Sequence, residues 1–278
     1  MSHLIKHLPA NNTGLDYIVG DIHGNRSVLD SLLQTAGFDR TVDRLFSVGD
    51  LTDRGEENLE SLELLTRPWF YHTLGNHDLN IIMATLYQCK EFTALGKIPG
   101  IKFKHGISTN ATDMYDSLPW DPGLFAYQNG GQWLLNMLQS KEDQALLLHF
   151  AQLLLASPYI QCVDKENNRF HVVHAGLHQS FLITPENATT DADVDNWATH
   201  PPDEILLLLT QRYSTWKGTE EEYKLSTTYC GHTAHSHIFR FAKHVNLDTA
   251  VNSRSGMLTL LCHQTGQAWQ EIKEHKSK

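Results

Sequence analysis

Cysteine is scarce in this 278-residue chain: Cys89, Cys162, Cys230 and Cys262 are scattered and form no C-x-x-C pair. That excludes a disulfide framework and suggests reduced core thiols in a cytoplasmic protein. Positive charge is also short. Lys plus Arg number 22 against 32 Asp plus Glu, a formal net charge of -10. No broad basic face is available for nucleic acid or an anionic membrane, so any phosphate this chain binds must be held locally. Apolar runs approaching the 18 or so residues of a membrane span are missing, and residues Met1–Asp16 lack the apolar centre of a signal peptide. The sequon-like Asn110-Ala111-Thr112 and Asn187-Ala188-Thr189 therefore carry no message. There is no internal repeat and no low-complexity tract.

What is present is a set of glycine-flanked polar motifs, each following a short β-prone run. The length suits a single domain over residues 1–278. Tyr17-Ile18-Val19 leads into Gly20-Asp21-Ile22-His23-Gly24, and a helix capped by Asn25 or Ser27 follows, with Val28, Leu29, Leu32 and Leu33 on one face. Leu45-Phe46-Ser47-Val48 leads into Gly49-Asp50-Leu51-Thr52-Asp53-Arg54-Gly55; a helix is expected from about Glu57 to Thr66. Trp69–Leu74 reads as a third strand, delivering Gly75-Asn76-His77-Asp78. The regular spacing of these motifs is that of successive strand-helix-strand units, which places three parallel strand ends side by side in an α/β fold. Residues 79–157 read as a helical insert, with an ordered loop at 97–131 near a cleft. Strand character returns at Phe170–His174, Thr227–Cys230, His244–Leu247, Met257–Leu261 and Ala268–Ile272, suggesting a second, mainly antiparallel sheet.

Asp21, His23, Asp50, Asn76, His174 and His232 all sit at expected strand ends beside glycine or a small residue. A Gly-Asp pair alone is an ordinary turn. Gly-Asp-x-His-Gly, however, arises by chance at roughly one position in 10^5, and two further motifs follow it at regular spacing. Together the six fit a two-cation site, for which Asp50 is the natural bridging carboxylate, since such sites share one carboxylate between cations about 3.5–4 Å apart. Mixed imidazole and oxygen donors suit Mn, with Fe, Zn or Co as alternatives. Arg54 offers a planar fork that matches phosphate oxygens. Among other histidines, His72, His105, His149, His171 and His178 read as surface or satisfied core residues, and His235 and His237 as a cleft rim. Asp193 and Asp195 read as solvated loop residues.

These motifs, with His174-Ala175-Gly176 and Gly231-His232-Thr233, resemble the calcineurin-like metallophosphoesterases, specifically the phosphoprotein phosphatase family. Residues 57–70 and Asn129-Gly130-Gly131-Gln132-Trp133 look like its bacterial and phage branch, typified by the lambda protein phosphatase. The resemblance implies a sandwich of two mixed β-sheets flanked by helices, with the metals at the sheet ends. It assigns Asp21, His23 and Asp50 to one metal and Asp50, Asn76, His174 and His232 to the other. By the same carry-over Arg54 binds phosphate, His77 is a general acid oriented by Asp53, and Arg212 is a second phosphate clamp. The implied activity is serine/threonine phosphoprotein hydrolysis by a metal-bound hydroxide, on a phosphorylated protein or small phosphoester. Leu74 and Asp78 depart from that pattern, which has Arg and Glu there, and look instead like the symmetrical diadenosine tetraphosphate hydrolases. A non-catalytic phosphate-binding scaffold is the third reading; possession of all the motif residues argues against it.

Overall fold

The computed structural model describes residues 4–91, 94, 98, 127–164, 168–180, 182–197, 199–200, 205–213 and 215–273. Most of the loop expected at 97–131, including its lysines and His105, lies outside them. Two mixed sheets face each other. In one, strand order is β13-β12-β2-β3-β4, formed by β2 (Asp16–Val19), β3 (Arg44–Ser47), β4 (Phe70–His72), β12 (Met257–Cys262) and β13 (Ala268–Ile272). The other runs β1-β5-β6-β9-β11-β10, formed by β1 (Ile5–Pro9), β5 (Ile160–Asp164), β6 (Phe170–Val173), β9 (Thr227–Cys230), β10 (Phe239–Phe241) and β11 (His244–Asn246).

Alternation along each strand explains the layering. Ile18, Phe46 and Leu261 of the first sheet pack with Val163, Phe170, Val172, Tyr229 and Val245 of the second, forming the core between them. Their chain neighbours Tyr17, Val19 and Leu45 point the other way, into a larger cluster that includes Val28, Leu29, Leu32 and Leu33 of α1 (Arg26–Thr35). On the far side Ile160, Cys162 and Val173 join Leu147, Phe150 and Leu154 of the helix Lys141–Leu155 in that same cluster. Strands buried on both faces are largely apolar, as a two-sheet sandwich covered by helices requires.

The second sheet is not mainly antiparallel. β6–β9 and β9–β11 pair in parallel, as do β1 and β5, while β5–β6 and β10–β11 are antiparallel. The last two strands return to the first sheet, β12 lying antiparallel to β2 with Leu261 opposite Ile18. A period-two pattern identifies strands but carries no information on their partner or direction. The third strand stops at His72, because the Leu74 N–H leaves the sheet and donates to Pro158 O at 2.9 Å. The helix expected from about Glu57 to Thr66 is α2 (Asn58–Leu62) followed by a 3-10 turn over Glu63–Thr66. Asp193 and Asp195 lie in the helix Asp191–Trp197 rather than in a loop. There Asp195 pairs with Arg169 and Asp193 accepts from Thr190.

Candidate metal centre

All the motif residues come from one edge of the sandwich. Asp21 and His23 follow β2, Asp50 follows β3, and Asn76 opens α3 (Asn76–Gln88) just beyond β4. From the other sheet, His174 follows β6 and His232 follows β9. The chain is forced through left-handed backbone here: φ is 45° at His23, 53° at Asp50, 71° at Asp53, 68° at Arg54 and 66° at His232. Non-glycine residues hold that conformation only where surrounding contacts over-determine it, which is typical of functional sites. The glycines allow the two sheets to close. A Cβ on Gly231 would stand 1.8 Å from Asp21 Oδ1, and one on Gly49, already at φ 113°, 2.8 Å from His174 Nδ1.

Asp50 lies at the centre. Its Oδ2 is 3.4 Å from His174 Nε2 and 3.8 Å from both His23 Nε2 and His77 Nε2, while its Oδ1 accepts the His77 N–H at 2.9 Å. Two groups of donor atoms close enough to hold an ion share it: Asp21, Asp50 and His174, and His23, Asp50 and His77. The tautomers are set from behind. His23 Nδ1 donates to Thr52 O at 2.7 Å and His174 Nδ1 to Val48 O at 2.9 Å, leaving each Nε2 with a lone pair toward the centre. His174 Nε2 then faces Asn76 Oδ1 at 2.9 Å, and His232 Nδ1 approaches the same oxygen at 2.8 Å. The His174 Nε2 lone pair and the Asn76 Oδ1 are both acceptors and repel at this distance unless a cation or a proton lies between them, so this donor set fits a metal ion.

Electrostatics point the same way. Burial pushes both His23 and His232 down to about 3, the neutral form in which imidazole ligates. Burial also raises Asp50, but the surrounding His174, His77 and His23 outweigh it and hold this carboxyl below its ordinary range. Asp21 is pushed up by burial and by its neighbours Asp248 and Asp50, a like-charge cluster that a divalent cation would relieve.

Beside this centre His77 Nδ1 donates to Asp53 Oδ2 at 2.6 Å, and Arg54 reaches His23 Nε2 at 2.9 Å and His77 Nε2 at 3.1 Å. A cavity of about 280 Å³ opens over Asp50, Asn76, His77 and His232, and Arg54, Arg212, Thr210 and Asn129 complete its lining. Arg212 is steered there by Thr233, whose Oγ1 accepts at 3.2 Å.

A calcineurin-like phosphoesterase profile matches residues 17–248. The chain belongs to this family. It is 31% identical over 161 residues to serine/threonine-protein phosphatase 2 of Salmonella typhimurium, covering 57% of each chain. To the symmetrical bis(5'-nucleosyl)-tetraphosphatase of Pseudomonas fluorescens it is 46% identical over 70 residues, 24% of each. The similar phosphatase 2 of Escherichia coli is matched over 65% of its length, so the chain spans less than two thirds of these relatives. Among solved structures, a Saccharomyces cerevisiae serine/threonine phosphatase superposes with a TM-score of 0.55 at 18% identity, covering 99% of this chain and 86% of that one. A putative diadenosine tetraphosphatase gives 0.54 at 22%, covering 96% of each. At these identities the likeness shows the fold.

For this metallophosphoesterase, sequence reasoning missed several contributors. Asp248, just past β11, is buried near Asp21 and follows the same strand-end rule that identified the others. Asn25 makes no side-chain cap on α1; its amide instead donates to Ile22 O and His23 O at 2.8 Å, and Glu57 accepts from the Ser27 N–H and hydroxyl. Asp78 holds the Asp50 and Leu51 N–H groups at 2.9 and 3.1 Å. Of the other histidines, His171 and His178 are buried and hydrogen-bonded to Thr228 and Ala242, and His149 is exposed. His72 is buried with Nε2 3.1 Å from Asp78 Oδ2. His235 stacks on Phe239 with ring centroids 4.3 Å apart, and neither it nor His237 belongs to the donor groups around Asp50. No helix among the described residues is long and apolar enough to cross a membrane.

Proposed function

We propose that the protein is a dinuclear metal phosphomonoesterase acting on phosphoserine and phosphothreonine in proteins. The observation that carries this is Asp50, whose carboxylate lies among the donor atoms of Asp21, His23 and His174 beneath a cavity that also contains two arginines. Asp21, His23 and Asp50 would hold one cation; Asp50, Asn76, His174 and His232 the other, with Mn the best match and Fe, Zn or Co compatible. When bound, such a pair supplies Lewis acidity toward phosphoryl oxygens and brings the pKa of water at the site near neutrality. Arg54 is exposed and can turn from the two imidazoles onto a phosphate, and Arg212, which lines the same cavity, would bind it as well. His77 would protonate the departing alkoxide. Burial lowers its proton affinity, but Asp50 and the Asp53 hydrogen bond outweigh that and raise it, as a proton donor at neutral pH requires.

Two features support the protein substrate. The described lining offers Arg54 and Arg212 as cations, which is enough for one phosphomonoester and sparse for a polyphosphate. Leu74 and Asp78, which resemble the dinucleotide hydrolases, are both buried, and neither lines the cavity. The second reading, symmetrical dinucleotide hydrolysis, is favoured by the 46% identity over 70 residues to a bis(5'-nucleosyl)-tetraphosphatase. The deciding measurement is kcat/KM for phosphoserine and phosphothreonine peptides beside diadenosine tetraphosphate at one Mn concentration. Preference for the dinucleotide by more than about 100-fold, about 2.7 kcal/mol in transition-state binding, overturns the protein-phosphatase reading. Activity that survives in a verified metal-free sample overturns the metal chemistry itself.

A further inference from the structure

We infer that Trp133 is a positioning residue for the His77–Asp53 pair: its indole N–H locks the Asp53 carboxylate so that the other oxygen holds His77 in line with the leaving group. This rests on the general-acid reading of His77 given above. The Asp53 side chain is fully buried, and each of its oxygens has one donor, His77 Nδ1 to Oδ2 at 2.6 Å and Trp133 Nε1 to Oδ1 at 2.8 Å. A carboxylate held at one oxygen can still rotate about Cβ–Cγ and tilt its partner ring. Held at both, it cannot. Indole suits the task because it is donor-only and does not titrate, so Asp53 remains an acceptor toward His77 whatever else changes at the site.

The segment carrying Trp133 grips the same dipeptide from its backbone side. Gly130 O accepts the Arg54 N–H at 3.3 Å, and at φ 87° Gly130 packs so close that a Cβ would fall 2.6 Å from Arg54 N. Asp53 and Arg54 are two adjacent residues held in left-handed backbone, and they need such outside support. Leu134, fully buried beside the indole in sequence, anchors the short helix Gln132–Met137 to the core and so fixes where Trp133 points. The turn at 129–131 and this helix therefore act as one clamp on the acid and on the phosphate-binding arginine. None of the six residues proposed above as metal ligands takes part in these bonds.

Trp133→Phe keeps the ring and removes the donor. The test compares kcat and KM on a phosphoserine peptide, whose alkoxide needs a proton, with those on para-nitrophenyl phosphate, whose leaving group needs little help, at saturating Mn. Loss of a supporting contact of this kind should lower kcat on the phosphopeptide about 10- to 100-fold, with para-nitrophenyl phosphate falling less than about threefold. KM values and metal content stay unchanged. In an Asp53→Asn background the same substitution should add less than about twofold, because the group it acts through is already disabled. Equal losses on both substrates, or full additivity with Asp53→Asn, overturn the proposal. His77→Asn is the control. If it separates the two substrates and Trp133→Phe does not, the role of Trp133 alone is wrong. If His77→Asn also fails to separate them, the general-acid reading falls and takes this inference with it. Should Trp133→Phe not fold, replacing the indole by benzothiophene, which exchanges only N–H for sulfur, is judged on the same ratio.

Discussion

Replacing Asp78 by Asn should destabilise the protein and loosen its metal centre without touching the substrate. Asp78 Oδ2 accepts from the N–H groups of Asp50 at 2.9 Å and Gly75 at 2.8 Å, and Oδ1 accepts from that of Leu51 at 3.1 Å. Asparagine has nearly the same shape but one acceptor oxygen. Whichever way its amide turns, an NH2 faces at least one of these buried donors, and the charge that strengthens the remaining bonds is gone. An unsatisfied buried donor costs about 1–3 kcal/mol, so Asp78→Asn should cost about 2–4 kcal/mol. For a chain of this size that lowers Tm by roughly 5–15 °C. The sign with pH follows from the carboxyl. Burial raises its pKa, but His72 and the backbone donors outweigh this and leave it depressed, so its stabilisation is present at neutral pH and is lost as pH falls through the folded value. The gap between the native protein and Asp78→Asn should accordingly narrow on acidification. Thermal unfolding by circular dichroism, run in excess Mn and after chelation, measures both. A loss under about 1 kcal/mol with two metals retained would refute the idea that Asp78 sets the backbone of the bridging carboxylate.

Other substitutions separate the remaining roles. Asp50→Asn should reduce bound metal below that of Asp53→Asn, since on the proposed roles it would remove the shared charge whereas Asp53 would only orient His77; elemental analysis reversing that order would exchange their roles. Gly231→Ala should abolish metal binding, because its Cβ would stand 1.8 Å from Asp21 Oδ1; retention of wild-type metal content would show that the Asp21 loop yields more readily than its burial suggests. Arg212→Ala should raise KM for phosphopeptide about tenfold with a smaller change in kcat, and an unchanged KM would remove Arg212 from the phosphate site.

The site was legible in the sequence to the extent that its chemistry is local. Glycine or a small residue beside Asp, His or Asn at the end of an apolar run is a short-range signal, and it marks all six candidate ligands, which the fold gathers at one edge. What joins distant segments was not legible. The Trp133–Asp53 bond spans 80 residues, and although Asn129-Gly130-Gly131-Gln132-Trp133 stands out as a motif, nothing in it names Asp53 as the indole's partner. Strand partners were equally hidden: β12 carries the same alternation whether it lies beside β2 or beside β11, and the structure places it antiparallel to β2. The helix Asp191–Trp197, which carries Asp193 and Asp195, is not legible because only Val194 and Trp197 are buried, too few to give a helical period.

Because the donors around Asp50 come from both sheets, a cation held there is a clasp across the seam of the sandwich. Asp21, His23, Asp50 and Asn76 are fixed to one half and His174 and His232 to the other. Sliding the halves past each other by even an ångström would pull a cation held there away from the donors of one half. On the proposed ligand set, a metal present at 100 times its dissociation constant would add about 2.7 kcal/mol against their separation. Without that ion the seam would still bury the apolar contacts of Phe46, Phe170 and Tyr229, so the same cation proposed for the chemistry would also add to the stability of the fold.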